Sequence, residues 1–313
     1  MKKGISELPL VSVVICTFNP RSDYLRATVK SLEQQSLSKN QWELVIVDNS
    51  SLNGVPEEIY SEFSSHLQIR MVREEKQGLV FARIRGINET TGDLLVFVDD
   101  DNELDNTYLE KALSISLYER GVGAFGGISI GVYEKEIPDY LKKVDRFLAV
   151  RDYGQNPVTK FRDEWGIWEP FGAGMVVRRK VANRFLQEFE RIQLGSLLGR
   201  KGTTLSSGED SFLARCAYLE GYFCSYQPRL RLRHLISKER VKFIYLCRLV
   251  CGQGRAHVIM GKVRGVNNEI GRRDLIARFF QYVRDYGLAG FVEWFWYLGR
   301  YRQTRELKLS ENN

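Results

Sequence analysis

The sequence predicts an α/β fold, a mostly parallel sheet flanked by helices, followed by a helical C-terminal extension. Two observations carry that prediction. Continuously apolar runs such as Leu44-Val-Ile-Val47 alternate with helical-period segments in the N-terminal part, and strands apolar on both faces belong to parallel sheets covered on both sides. Beyond residue 235 strand patterns give way to arginine and aromatic residues at helical spacing. The chain therefore divides into residues 1–235, an α/β domain, and residues 236–313, a basic, aromatic helical extension.

Val11-Ser-Val-Val-Ile-Cys-Thr-Phe-Asn19 is a β-branched strand stopped by Asn19-Pro20, and residues 23–37 read as a helix with Leu25, Val29 and Leu32 on one face. The unit repeats. A strand over 43–47 ends at Asp48-Asn49-Ser50-Ser51, and a short helix covers 56–63. A third strand is expected at 67–72, a helix at 78–88 and a fourth strand at 94–98. The next helix covers 107–118, with Asn102 and Asp105 as caps. Gly121-Val-Gly-Ala-Phe-Gly126 satisfies Gly-x-Gly-x-x-Gly, but a helix precedes it and a strand-like run, 125–132, follows. It reads as turn and strand-entry glycines, not as a dinucleotide loop. Residues 133–170 are irregular and aromatic. In Phe171-Gly-Ala-Gly-Met-Val-Val177 the small residues permit close backbone approach to a ligand or another strand. Residues 194–207, with Arg200-Lys201, read as a mobile loop leading to Gly208-Glu209-Asp210 at the start of a helix over 211–220. Residues 241–262 and 274–300 are helical in period, the latter with Phe279, Phe280, Trp294 and Trp296 among arginines. Such helices either pack on the domain or lie at a membrane interface.

The net charge of +7 is uneven. Residues 226–313 hold 18 Lys+Arg and 7 Asp+Glu, a balance of +11, whereas the remaining residues hold 28 and 32, a balance of −4. A basic tail suits an anionic surface or phosphorylated partner. The five cysteines are scattered without a Cys-x-x-Cys pair, which argues against a disulfide framework and a zinc site. The N-terminus reaches acid and proline before any apolar core, and no apolar run is long enough for a membrane span, so a cytoplasmic protein is expected.

The chemistry concentrates at Asp99-Asp100-Asp101. Three adjacent carboxylates at a strand's end repel one another and are stabilised by a cation. Mn²⁺ or Mg²⁺ is the natural occupant, held by one or two carboxylates with substrate phosphates completing the shell. Thr17, Asn19, Asp48 and Asp99–Asp101 all fall at the carboxyl edge of the expected sheet, where open α/β sheets bind ligands. Glu209 and Asp210, at a helix N-terminus, read equally as caps or as functional acids.

Taken together, Val11–Asn19, Val45-Ile-Val-Asp-Asn-Ser-Ser51, Gly78-Leu-x-x-Ala-Arg-x-x-Gly86, Asp99-Asp-Asp101, Gly172-Ala-Gly174 and Gly208-Glu-Asp210 resemble, in order and spacing, the family 2 glycosyltransferases of GT-A fold. The resemblance covers roughly residues 8–235. It implies a nucleotide-sugar donor, usually a UDP-sugar, a divalent metal and inversion at the anomeric carbon. It places Thr17 and Asn19 beside the nucleotide, Asp48 on the base, and Arg83 on the base and diphosphate side. Asp99 and Asp100 fall near the ribose and donor sugar, and Asp101 becomes the direct metal ligand, with Asp99 and His234 as further ligands. Gly172, Ala173 and Gly174 run beneath the donor sugar. Asp210, with Glu209 as second choice, is the general base. Arg231, Arg233 and Lys238 are available for phosphate contact. The implied partners are a nucleotide sugar, a glycan or lipid-linked acceptor and an anionic membrane surface at the inner face of the cell membrane; no nucleic acid is expected. Two competing readings are a sugar-nucleotide nucleotidyltransferase and a non-catalytic nucleic-acid-binding protein using the basic tail. The choice of donor sugar and of acceptor is expected to lie in residues 133–170 and 191–207.

Overall fold

The computed structural model describes residues 10–192, 198, 205 and 207–311. Most of the loop expected over 194–207, Arg200 and Lys201 included, lies outside the described residues. The N-terminal part runs β1 (Val11–Thr17), α1 (Ser22–Glu33), β2 (Trp42–Asp48), α2 (Glu57–Phe63), β3 (Ile69–Arg73), α3 (Leu79–Asn88) and β4 (Leu94–Asp99). These four strands are parallel, in the order β3-β2-β1-β4. Thr17 lies opposite Asp48, and Cys16 opposite Asp99. That register brings three predicted site residues to one sheet edge.

The second part departs from the parallel plan. It comprises β5 (Asn102–Leu104), α4 (Tyr108–Tyr118), β6 (Val122–Tyr133), α5 (Asp139–Lys142), β7 (Val158–Lys160), β8 (Met175–Arg178), α6 (Arg179–Arg191), α7 (Glu209–Leu219) and β9 (Phe223–Ile236). The sheet continues from β4 as β8-β6-β9-β5, with β8 antiparallel to both β4 and β6, and with β7 beside β9. Asn102 is a correction. It was expected as a helix cap, but it is a fully buried strand residue whose side chain accepts from the Asp99 N–H and donates to Asp101. Gly121–Gly126 does enter a strand, and Gly127 sits where a Cβ would lie 1.9 Å from the Leu230 carbonyl oxygen of β9. The amphipathic helix α6 was not anticipated: its buried Val181, Ala182 and Phe185 are spaced among arginine, lysine and glutamate.

Alternation along β1 sends Val11, Val13 and Ile15 into a core with Leu25, Val29 and Leu32 of α1 and with Leu109 and Ala112 of α4. Val14 joins the opposite core, with Val80 and Phe81 of α3, Phe185 of α6 and Phe212 of α7. Full burial of each such side chain contributes roughly 1.5–3 kcal/mol, so the sheet is held from both faces.

A third cluster joins Leu141 and Leu148 to the C-terminal helices α8 (Phe243–Arg264) and α9 (Arg272–Glu311), the latter interrupted at Gly287. The helices approach closely: a Cβ on Gly254 would lie 2.0 Å from the Trp296 carbonyl oxygen, and one on Gly299 would lie 1.9 Å from that of Cys251. Leu275, Ala289 and Val292 are buried, whereas Ile276, Phe280, Tyr286 and Leu288 are exposed. Among the described residues, no helix is long and apolar enough to cross a membrane.

Candidate active site

β1 and β4 end side by side, and the Thr17 hydroxyl donates to Asp100. The chain then turns through Asp100 and Asp101 into β5, which pairs with β9 so that Asn102 lies opposite His234. This turn and pairing bring the acidic triplet against a histidine more than a hundred residues away. His234 Nε2 is 3.3 Å from Asp101 Oδ2, and the histidine is 1% exposed. Arg240, in the turn after β9, places Nη1 2.5 Å from the same Asp101 oxygen and 3.0 Å from His234 Nε2. Burial, with Asp101 and Asp99 adding repulsion, pushes the Asp100 carboxyl up to about 7 even though Thr17 and Arg240 oppose the shift.

The second acidic element is carried by α7. Gly208, at φ +113°, delivers the chain into the helix, and a left-handed backbone of that kind favours glycine. Glu209 and Asp210 occupy the first turn, and the structure gives them different work. Glu209 is buried and faces the equally buried Arg83 guanidinium of α3 at 3.5 Å. Burial pulls the Arg83 pKa down, but Glu209, Asp210 and Asp99 outweigh it, and the net shift is upward. Asp210 stays accessible: Oδ2 accepts from the Gly172 N–H at 3.1 Å, and Oδ1 accepts from the Ser211 N–H at 2.8 Å. Gly172 also makes room for the arginine, since a Cβ there would lie 2.3 Å from Arg83 Nη2. The Gly-Ala-Gly element therefore packs the site's charged groups. Gly174, at φ +70°, faces Leu232 and Tyr108, and its carbonyl accepts from the Tyr108 hydroxyl at 2.5 Å.

A cavity of about 690 Å³ joins the two elements. Of the residues singled out in the sequence, Thr17, Arg83, Asp99, Asp100, Asp101, Gly172, Ala173, Glu209 and Asp210 line it. Asn19, Asp48, Gly174 and His234 are not among its lining residues. Asn19 adopts φ +50° and ties the strand end to the next loop, its N–H donating to Ser51 Oγ at 2.7 Å and its Oδ1 accepting from the Leu52 N–H. Asp48 closes the same loop through the Ser51 N–H and pairs with Arg73 at 2.7 Å. Arg233 pairs with Glu103, and neither it, Arg231 nor Lys238 lines the cavity.

Sequence reasoning missed three contributors. Arg240 was passed over for its basic neighbours, although it stands six residues after His234. Asn49 lines the cavity and anchors the start of α3, donating to the Lys76 carbonyl at 2.9 Å and accepting from the Gly78 N–H at 2.7 Å. Glu169, 1% exposed, accepts from Ser211 Oγ and pairs with Arg264 at 3.4 Å, and burial pushes its carboxyl up to about 7. The share of the C-terminal helices in the lining was also unforeseen: Ala256, His257, Tyr282, Trp296 and Tyr297 of α8 and α9 line the cavity, as do Tyr153 and Trp165.

The acidic triplet, the buried arginine on α3 and the acidic start of α7 thus share one cavity, and the profile of glycosyl transferase family 2 fits residues 12–186, more than half of the chain. The chain belongs to glycosyl transferase family 2. Among the proteins it resembles is the glycosyltransferase AglE of Haloferax volcanii, 33% identical over 125 residues, which cover 39% of this chain and 40% of that protein. The cholesterol galactosyltransferase of Borreliella burgdorferi is 29% identical over 100 residues, covering 32% and 27%. The matched stretch thus spans less than half the length of these relatives. The crystal structure of S. aureus TarS 1-349 superposes with a TM-score of 0.51 at 15% identity, covering 93% of this chain and 92% of that one. That likeness bears out the GT-A fold class expected for a family 2 chain. Family 2 membership also favours the transferase reading over the nucleotidyltransferase and nucleic-acid-binding readings.

Proposed function

We propose that the protein is a metal-dependent, inverting glycosyltransferase that moves a sugar from a nucleotide sugar, first among them a UDP-sugar, to a glycan or lipid-linked acceptor in surface polysaccharide or glycolipid assembly. The observation that carries this reading is the division of carboxylates on one cavity, Asp99–Asp101 after β4 and Asp210 on α7. In-line displacement at the anomeric carbon needs charge neutralised on the departing diphosphate and a proton removed from the attacking hydroxyl on the other side of the sugar. One cluster cannot serve both ends.

Asp101 and His234 are the pair that suits Mn²⁺ or Mg²⁺. Neighbouring ligands of an octahedral ion at ~2.1 Å lie about 3 Å apart, and the 3.3 Å between Asp101 Oδ2 and His234 Nε2 is close to that spacing. A cationic guanidinium already sits against both atoms. Among the described residues no three His, Cys, Asp or Glu side chains are grouped to hold an ion by themselves, so substrate phosphates would have to complete its shell. When bound, the ion would offset the negative charge of the leaving diphosphate. Asp99 lines the same cavity and is a further candidate ligand.

On this reading Thr17 orients Asp100 beside the donor, Arg83 offers positive charge to the diphosphate side, and Asp48 and Asn19 shape the loop that meets the base. Gly172 to Gly174 hold Asp210 and Arg83 under the donor sugar. Asp210, steadied by two backbone N–H groups, accepts the acceptor's proton. The aromatic side from α8 and α9 receives the acceptor. The exposed Ile276, Phe280, Tyr286 and Leu288, together with Arg272, Arg273 and Arg284, suit an anionic membrane surface. Replacing the base tests the scheme: Asp210→Asn is expected to bind UDP with unchanged affinity while donor turnover falls ~10²–10⁴-fold. Turnover near the wild-type rate would remove Asp210 from the base's role.

A further inference from the structure

Arg240 occupies a position that the proposed chemistry leaves unexplained. A single nitrogen of its guanidinium meets both Asp101 Oδ2, at 2.5 Å, and His234 Nε2, at 3.0 Å. These are the two atoms suited to the divalent ion. A guanidinium and a metal ion cannot both be served by His234 Nε2, because an imidazole nitrogen has a single lone pair. The arginine's contacts are also incomplete. Its Nε is buried without a hydrogen-bond partner, although the residue lines the cavity beside Asp99 and Asp100. A donor left unmade in that setting favours any rearrangement that supplies an acceptor.

The backbone around Arg240 is suited to such a movement. Residues 237–242 form a short turn between β9 and α8, closed by the Arg240 N–H on the Ser237 carbonyl at 3.0 Å. It is fixed at one end by the Lys238 N–H on Glu134, at 2.7 Å, and at the other by the start of α8. A long arginine side chain can therefore swing while its Cα stays in place.

We propose that Arg240 is a displaceable internal cation, holding Asp101 and His234 in the nucleotide-free protein and moving onto the diphosphate of the incoming donor as the divalent ion takes its place. This rests on the metal-dependent reading above. A diphosphate offers a planar guanidinium two oxygens in fork geometry, and one nitrogen shared between a carboxylate and an imidazole does not match that. Nucleotide and metal are then coupled, each strengthening the other's binding, as linkage requires.

The test measures Mn²⁺ binding by the paramagnetic resonance of free Mn²⁺, on wild type, Arg240→Ala and Arg240→Lys, with and without saturating UDP. Wild type is expected to bind Mn²⁺ at least ~10-fold more tightly with UDP than without it. In Arg240→Ala the affinity without UDP rises toward the UDP-bound value and the coupling shrinks, while UDP affinity in EDTA falls. Arg240→Lys, which keeps the charge but not the fork, restores part of the exclusion of Mn²⁺. If a folded Arg240→Ala protein binds Mn²⁺ no better without UDP, or more weakly under both conditions, Arg240 merely organises the pair and the proposal is overturned. If wild type takes up no Mn²⁺ even with UDP, the metal reading fails and the proposal goes with it. The two failures are thus distinguishable.

Discussion

At the scale of single residues, the site is a problem of buried charge. Arg83 and Glu209 are each only 3% exposed and face one another, and such a pair is stabilising mainly in the sense that breaking it is costly. Glu209→Ala would take away the carboxylate that acts most strongly on the buried arginine, leaving Asp210 and Asp99 to offset it, and we expect a loss of about 3–5 kcal/mol in chemical denaturation. Asp210→Ala, at a more accessible carboxylate, should cost far less stability while stopping turnover. Equal destabilisation by the two changes would contradict the division of labour drawn between neighbours in the chain. The sequence showed that both acids begin a helix but could not separate them. What separates them is Arg83, more than a hundred residues away, and Gly172, whose missing Cβ lets that arginine in. Arg240 was illegible for a similar reason. Its partners Asp101 and His234 converge only through the β5–β9 pairing, and β5 is three residues long, too short to show a period.

The elements themselves were largely legible where apolar runs were long. β1, β2 and β4 lie within a residue or two of where alternation and turn residues put them, because each is buried on both faces. The second half was less readable. Its strands pair across long connections and in mixed senses, β5, β7 and β8 antiparallel to their neighbours but β6 parallel to β9, and β9, at 14 residues, carries Gln227, Pro228 and several arginines within its pattern. The C-terminal helices were legible as helices, but their partner was not, since an aromatic and arginine pattern serves a packed face and a membrane face alike. The structure shows the packed face, set by glycines. Gly254→Ala forces a methyl against the Trp296 carbonyl. We expect a loss of roughly 1–3 kcal/mol in denaturation, the usual cost of overpacking, together with weaker acceptor use because Trp296 lines the cavity. A variant as stable as wild type would mean that the two helices are not held at this contact.

For the whole molecule, charge and architecture divide the work. The acidic excess lies with the sheet, the basic excess lies in residues 226–313, and the cavity is lined from both sides. β9 runs to Ile236, so a boundary at residue 235 falls within the last residues of the strand that carries His234. If the exposed aromatic face near Gly287 meets a membrane, the full-length protein should sediment with anionic vesicles at low salt and be released as salt screens the arginines. Indifference to those vesicles would remove the membrane as that face's partner. The central claim is the nucleotide-sugar site at the carboxyl edge of the sheet. It is tested most directly by calorimetric titration of UDP, GDP, dTDP and CDP into the protein, first with Mn²⁺ and then with EDTA. The account predicts that one nucleotide, UDP first among them, binds in a metal-dependent manner and that Asp101→Ala abolishes the dependence. A folded protein that bound none of the four under either condition would contradict it.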